Sequence, residues 1–147
     1  GQFAAIIALK CETDFVAKNA DFIAYGKDVA MQIAALNTPY LTEADVPAEV
    51  IEHEKEVMRQ QVINEGKPEA IADKIVMGKI GKFYKENCLV DQEFVKDNKQ
   101  TIKQYTNNTA KALGGSIEIA KFVRFEKGEG IEKRQDDFAA EVASMVK

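Results

Sequence analysis

The chain has no tryptophan, one histidine, two cysteines and three prolines, and each shortage removes a class of function. A lone imidazole, His53, has no second histidine beside it for a metal site or a proton relay. Cys11 and Cys88 lie far apart without CxxC spacing, so neither a zinc site nor a disulfide scaffold is indicated, and a reduced cytosolic setting is the simpler reading. No apolar run approaches the roughly 20 residues of a membrane-spanning helix, and no charged-then-apolar signal segment opens the sequence. The expectation is a soluble cytoplasmic protein with no membrane partner. Positive charge is not in excess either: 20 basic against 24 acidic residues give a net charge of −4, which repels a phosphate backbone and disfavours direct nucleic-acid binding.

The usual marks of an enzyme are missing too. No GxxxxGK[ST] run offers a phosphate cradle. Gly128-Glu129-Gly130 is a lone GxG that does not open a helix after a strand, and it reads as a turn. His53 sits among Glu52, Glu54 and Glu56 on a charged segment, where a solvated surface is the plainer reading than a general base or a carboxylate pair. No catalytic residue, metal or cofactor is expected.

What is present is enough hydrophobic sequence, 46% of 147 residues, for one ordinary domain with a core. The chain opens without Met on Phe3-Ala-Ala-Ile-Ile-Ala-Leu9, which reads as part of something longer. Phe3 to Cys11 is apolar on both faces and predicts a strand buried on both sides or covered by helices. Phe22, Ile23, Val29, Ala30, Ile33 and Ala34 recur at helical spacing over 21–36. Pro47 suits the start of a largely exposed helix bearing Val50, Val57, Met58 and Val62. Gly66 closes that helix and Pro68 opens the next, with Ala72, Ile75, Val76, Ile80, Phe83 and Tyr84 on one side. The segment 91–95 loses periodicity. A further helix runs from Thr101 to Leu113 and ends at Gly114-Gly115. Ser116 to Glu126 predicts a second strand, with Ile117, Ile119, Val123 and Phe125 on one face and Phe122 on the other. Asp136 or Asp137 caps a last helix carrying Phe138, Val142 and Met145. Together these make an α+β fold, a small antiparallel sheet packed against a layer of helices as a two-layer sandwich, in a single domain over 1–147.

One segment asks for more than a structural account. Glu12-Thr13-Asp14-Phe15-Val16 lies where the first strand hands over to a helix that Thr13 can cap. Such corners project side chains from a rigid scaffold. On the residues alone, Phe15 serves either to staple this corner to the core or to engage a partner.

Cys11-Glu-Thr-Asp-Phe-Val-Ala-Lys18 closely resembles the signature of the elongation factor Ts family. The likeness continues through Ala30-Met-Gln-Ile-Ala-Ala35, Gly66-Lys-Pro-Glu69, Lys74-Ile-Val76, Cys88-Leu89, Gln92, Phe94-Val95, Phe122-Val-Arg-Phe-Glu126, Gly128-Glu-Gly-Ile-Glu-Lys133 and Asp137-Phe-Ala-Ala-Glu-Val142. Ala8-Leu9-Lys10 departs from the family's usual acidic, aliphatic and Asn residues. The resemblance implies a factor that binds the GTPase elongation factor Tu in its GDP state and promotes GDP release. Thr13, Asp14, Phe15 and Val16 would reach the GTPase near its magnesium and phosphates, and Met31, Gln32 and Ile33 would make a second contact. It also implies the compact single-copy type of core domain, which pairs as a homodimer. The N-terminal ubiquitin-associated-like module would be missing, along with the strand expected to pair with Phe3 to Leu9. The alternative is a binding or assembly module that uses the same Asp14/Phe15 corner without exchange activity.

Overall fold

A computed structural model describes residues 1–131. In chain order it runs β1 (Phe3–Cys11), α1 (Asp14–Ala17), α2 (Ala20–Ala35), α3 (Ala48–Asn64), α4 (Glu69–Asn87), β2 (Glu93–Phe94), β3 (Asp97–Thr101), α5 (Ile102–Leu113) and β4 (Ile117–Glu126). The α+β class expected from the sequence holds. The predicted last helix, with Asp136 or Asp137 as cap and Phe138, Val142 and Met145, lies outside the described residues.

β1 and β4 form an antiparallel pair from Phe3↔Glu126 to Cys11↔Ile117. β4 is thus the partner of Phe3–Leu9 on one edge. Among the described residues only one face of this sheet is covered. Ala5, Ile7 and Leu9 of β1, with Ile117, Ile119 and Phe122 of β4, pack onto a core of Tyr25, Val29, Ile33, Leu89, Phe94 and Ile102. The other face leaves Ile6 64% exposed, so of the two expectations, burial on both sides or cover by helices, the second holds and on one face. An apolar run does not by itself say how many faces will be covered.

The register explains a correction. Ala8 pairs with Lys121 but Leu9 pairs with Ile119, so Ala120 is an extra residue, a β-bulge that switches the faces of everything beyond it. Ile117 and Ile119 point to the core, whereas Val123 and Phe125, expected beside them, point outward and are about half exposed. Phe122 and Arg124 take the inward positions, and the Arg124 guanidinium lies over the Phe3 ring, 4.6 Å from its centroid.

α2 is the central helix. Phe22, Tyr25, Val29, Gln32 and Ile33 are its buried residues, whereas Ile23, counted in the apolar stripe, is exposed. α5 opens on a capping box in which Thr101 Oγ1 accepts from Gln104 N–H and Gln104 Oε1 accepts from Thr101 N–H, and it ends at Gly114 with φ +70°, a conformation that favours glycine. The two-strand ribbon puts β2 in the aperiodic segment 91–95 and β3 just after it, where the sequence predicts no strand. α3 and α4 form an antiparallel pair with a cluster of their own around Val46, Ile51, Val76, Ile80 and Cys88. Gly128-Glu129-Gly130 is the turn expected, with both glycines at positive φ.

Candidate functional site

The corner between β1 and α2 is an arch held at its two ends. At the first end, Glu12 Oε1 accepts from the Ser116 hydroxyl at 3.0 Å, in the position of the next rung after Cys11↔Ile117. At the other, Asn19 caps α2 by accepting from Asp21 N–H at 2.8 Å. Between them Thr13 is in extended backbone and its hydroxyl accepts from Val16 N–H at 3.3 Å, as a helix cap does. The single turn closes through Ala17 N–H to Thr13 C=O, Lys18 N–H to Asp14 C=O and Asn19 N–H to Val16 C=O. The Cys11 thiol donates to Thr13 C=O at 3.4 Å.

Nothing on this turn is fully buried. Val16 alone is half-buried and turns toward the body, while Thr13 and Asp14 are exposed. Phe15 is 89% exposed. This overturns the reading of Phe15 as a staple to the core. A well of about 700 Å³ opens elsewhere, lined by Leu36, Lys82, Lys85, Glu93, Phe94 and Val95 among others, and the corner itself presents an exposed aromatic tip.

The second set of residues divides. Met31 is 40% exposed, but Gln32 and Ile33 are completely buried. The Gln32 amide acts as a piece of backbone would: its Nε2 donates to Glu93 C=O at 2.9 Å and its Oε1 accepts from Val95 N–H at 3.0 Å, holding β2 and its turn onto α2. Next to it Gln92 Nε2 donates to Thr38 Oγ1 at 3.1 Å and to Glu86 C=O at 3.0 Å. Gln32 and Ile33 are therefore interior residues, and of the three only Met31 offers exposed surface for a contact. Sequence reading missed Gln92 and Thr38 as partners in this knot because they lie 54 positions apart.

The remaining reactive groups are quiet. His53 is exposed on α3; of its neighbours, Glu52 is engaged by Lys55 at 2.9 Å and Glu56 by the Gln60 amide at 3.0 Å. Burial, with Asp91, Glu43 and Asp45 nearby, pushes the Cys88 thiol up to about 11, so it stays protonated at neutral pH. Burial works against the charge of Asp28, but hydrogen bonds from Lys96 and Tyr105 outweigh it and hold the carboxyl below its ordinary range. Tyr105 stacks on Phe94 with ring centroids 4.5 Å apart, so this group fastens α2, β2 and α5 together. Among the described residues no cluster of His, Cys, Asp and Glu has metal-site geometry, and no helix is long and apolar enough to cross a membrane.

Residues 24–129 match the family model described as Elongation factor TS. The chain belongs to the elongation factor Ts family. Elongation factor Ts from Desulforamulus reducens is 51% identical over 147 residues, all of this chain and 68% of the relative. The factor from Desulfitobacterium hafniense is 53% identical over 142 residues, 97% of this chain and 65% of the relative. That from Geobacter sulfurreducens is 47% identical over 144 residues, 98% of this chain and 67% of the relative. The chain thus spans about two thirds of the length of these elongation factor Ts proteins. The family model starts after the arch, so the corner's likeness rests on the full-length relatives, of which the first covers every residue here.

Proposed function

We propose that this chain is a guanine nucleotide exchange factor for elongation factor Tu, which it engages in the GDP state through Thr13, Asp14, Phe15 and Val16. The observation that carries this reading is the exposed ring of Phe15 at the tip of a tethered turn, in a chain of the elongation factor Ts family. Folding sheds apolar surface wherever it can, and a large aromatic left in water on a short, well-tied segment is the usual anchor of a partner interface. Phe15 inserts between helices of the GTPase beside its magnesium and phosphates, and Asp14 accompanies it. Magnesium tolerates little departure from octahedral geometry, so a small shift of the groups around it loosens GDP. Met31 supplies the exposed part of a second contact. The activity is exchange by binding, with no reaction centre or cofactor of the factor's own.

Magnitude limits what one ring does. A change of about 10⁴-fold in nucleotide affinity requires about 5.5 kcal/mol of differential binding, while burying one phenylalanine yields about 1.5–3 kcal/mol. The remainder comes from a wider surface that fits the nucleotide-free GTPase better, and by linkage GDP must weaken the factor's binding by the same ratio. The open face of the β1–β4 sheet, where Ile6 opposes Val123 and Ala4 opposes Phe125, is the surface through which two copies pair as a homodimer.

The rival is an assembly module that grips a partner by the same corner without altering its nucleotide state. Stopped-flow release of a fluorescent GDP analogue from elongation factor Tu separates the two. Exchange accelerates release in proportion to factor concentration until saturation, whereas binding with an unchanged release rate would leave only the rival.

A further inference from the structure

The side-chain bond from Ser116 to Glu12 joins residues 104 positions apart and both are on the surface, so it adds little to the core. Its place in the fold gives it another use. The β1–β4 backbone ladder ends at Cys11↔Ile117, and Glu12–Ser116 extends the same register one rung further, to the residue before the Thr13 cap. Beyond it the turn carrying Phe15 has no fully buried side chain, only the half-buried Val16, to hold it. Gly115 lies beside the Glu12 carboxylate, where a side chain would come into contact with its Oε2 at 3.4 Å. We infer that Glu12 is a positioning residue for Phe15, pinning the near end of the arch to Ser116 so that the ring is presented in one orientation before the partner arrives; this rests on the exchange reading given above.

The physical effect is preorganisation. A tip that wanders must be ordered at the moment of binding, and that ordering is subtracted from the interaction. One hydrogen bond of ordinary net strength sets the scale, about 3- to 10-fold in exchange efficiency. Glutamine at position 12 keeps the acceptor oxygen, whereas alanine removes it, and Ser116→Ala removes the donor without touching the corner.

The test uses the full chain, measuring kcat/KM for release of a fluorescent GDP analogue from elongation factor Tu, the Tm, and hydrogen exchange of the amides of residues 14–18. Glu12→Ala and Ser116→Ala should each slow exchange by about 3- to 10-fold, and the double variant should be no slower than about twofold below either, because both remove one bond. Glu12→Gln should recover most of the rate. Amides 14–18 should lose protection in the two alanine variants while Tm moves by less than about 2 °C. A fully active Ser116→Ala, losses that multiply in the double variant, unchanged amide protection or a Tm loss above about 5 °C would each overturn the pin. Wild type and Phe15→Ala, run alongside, keep the two readings apart. No exchange by wild type, or a fully active Phe15→Ala, defeats the exchange reading; an impaired Phe15→Ala beside fully active pin variants defeats only the role of Glu12.

Discussion

Phe15 and Gln32 exchange the places that their chemistry suggests, an aromatic ring in water and an amide in the core. The amide is tolerated because every hydrogen-bonding group around it is met, and no buried side-chain nitrogen or oxygen among the described residues lacks a partner. Removing it reverses that balance. Gln32→Ala strands the Glu93 carbonyl and the Val95 amide and opens a small void, which should lower stability by about 1–3 kcal/mol in urea unfolding. The exchange rate of the fraction still folded should be unchanged. An unaltered unfolding midpoint with slowed exchange would instead return Gln32 to the partner contact. The burial of position 32 was not legible in the sequence, because a glutamine between apolar helical positions is normally outside and its bonding partners, Glu93 and Val95, come 61 and 63 residues later. Phe15 left its two readings open for a related reason: the first turn of a helix specifies where a side chain starts but not whether another element comes over to cover it.

Elements were legible where their signals are local. Thr13, Thr101, Gly66, Gly114 and the prolines before α3 and α4 mark helix ends through caps, fixed φ or positive φ. The β2–β3 ribbon had no such mark: Asp97-Asn-Lys-Gln-Thr101 is polar throughout, and its anchor is the burial of Phe94 against Tyr105 and the core. The bulge at Ala120 was equally silent, since one extra residue inverts the apolar alternation without altering composition. Where an element does rest on a local device, the device can be weighed. Thr101→Ala removes one half of the α5 capping box and should cost about 1 kcal/mol in chemical denaturation. A change below about 0.3 kcal/mol would mean that β3 and the core hold this helix end without the cap.

At the scale of the molecule, the described sheet of two strands, covered by helices on one side, leaves Ile6, Val123 and Phe125 facing water on the other. If a second copy covers that face, Ile6→Lys, which buries an unpaired charge in the pair, should convert dimer to monomer in sedimentation velocity with the subunit still folded. A wild-type chain that sediments as a monomer at tens of micromolar would contradict the pairing. The corner bearing Phe15 lies beyond the end of β1, past Cys11, while Ile6 is near the strand's middle, so the pairing and the GTPase contact proposed above would use separate surfaces.

The most direct measurement is the rate of GDP release from elongation factor Tu in the presence of Phe15→Ala. With its ring already 89% exposed, the substitution should leave Tm within about 2 °C of wild type and slow factor-driven release at least about tenfold, the loss of one buried aromatic anchor. Release as fast as with the unaltered chain would contradict the account.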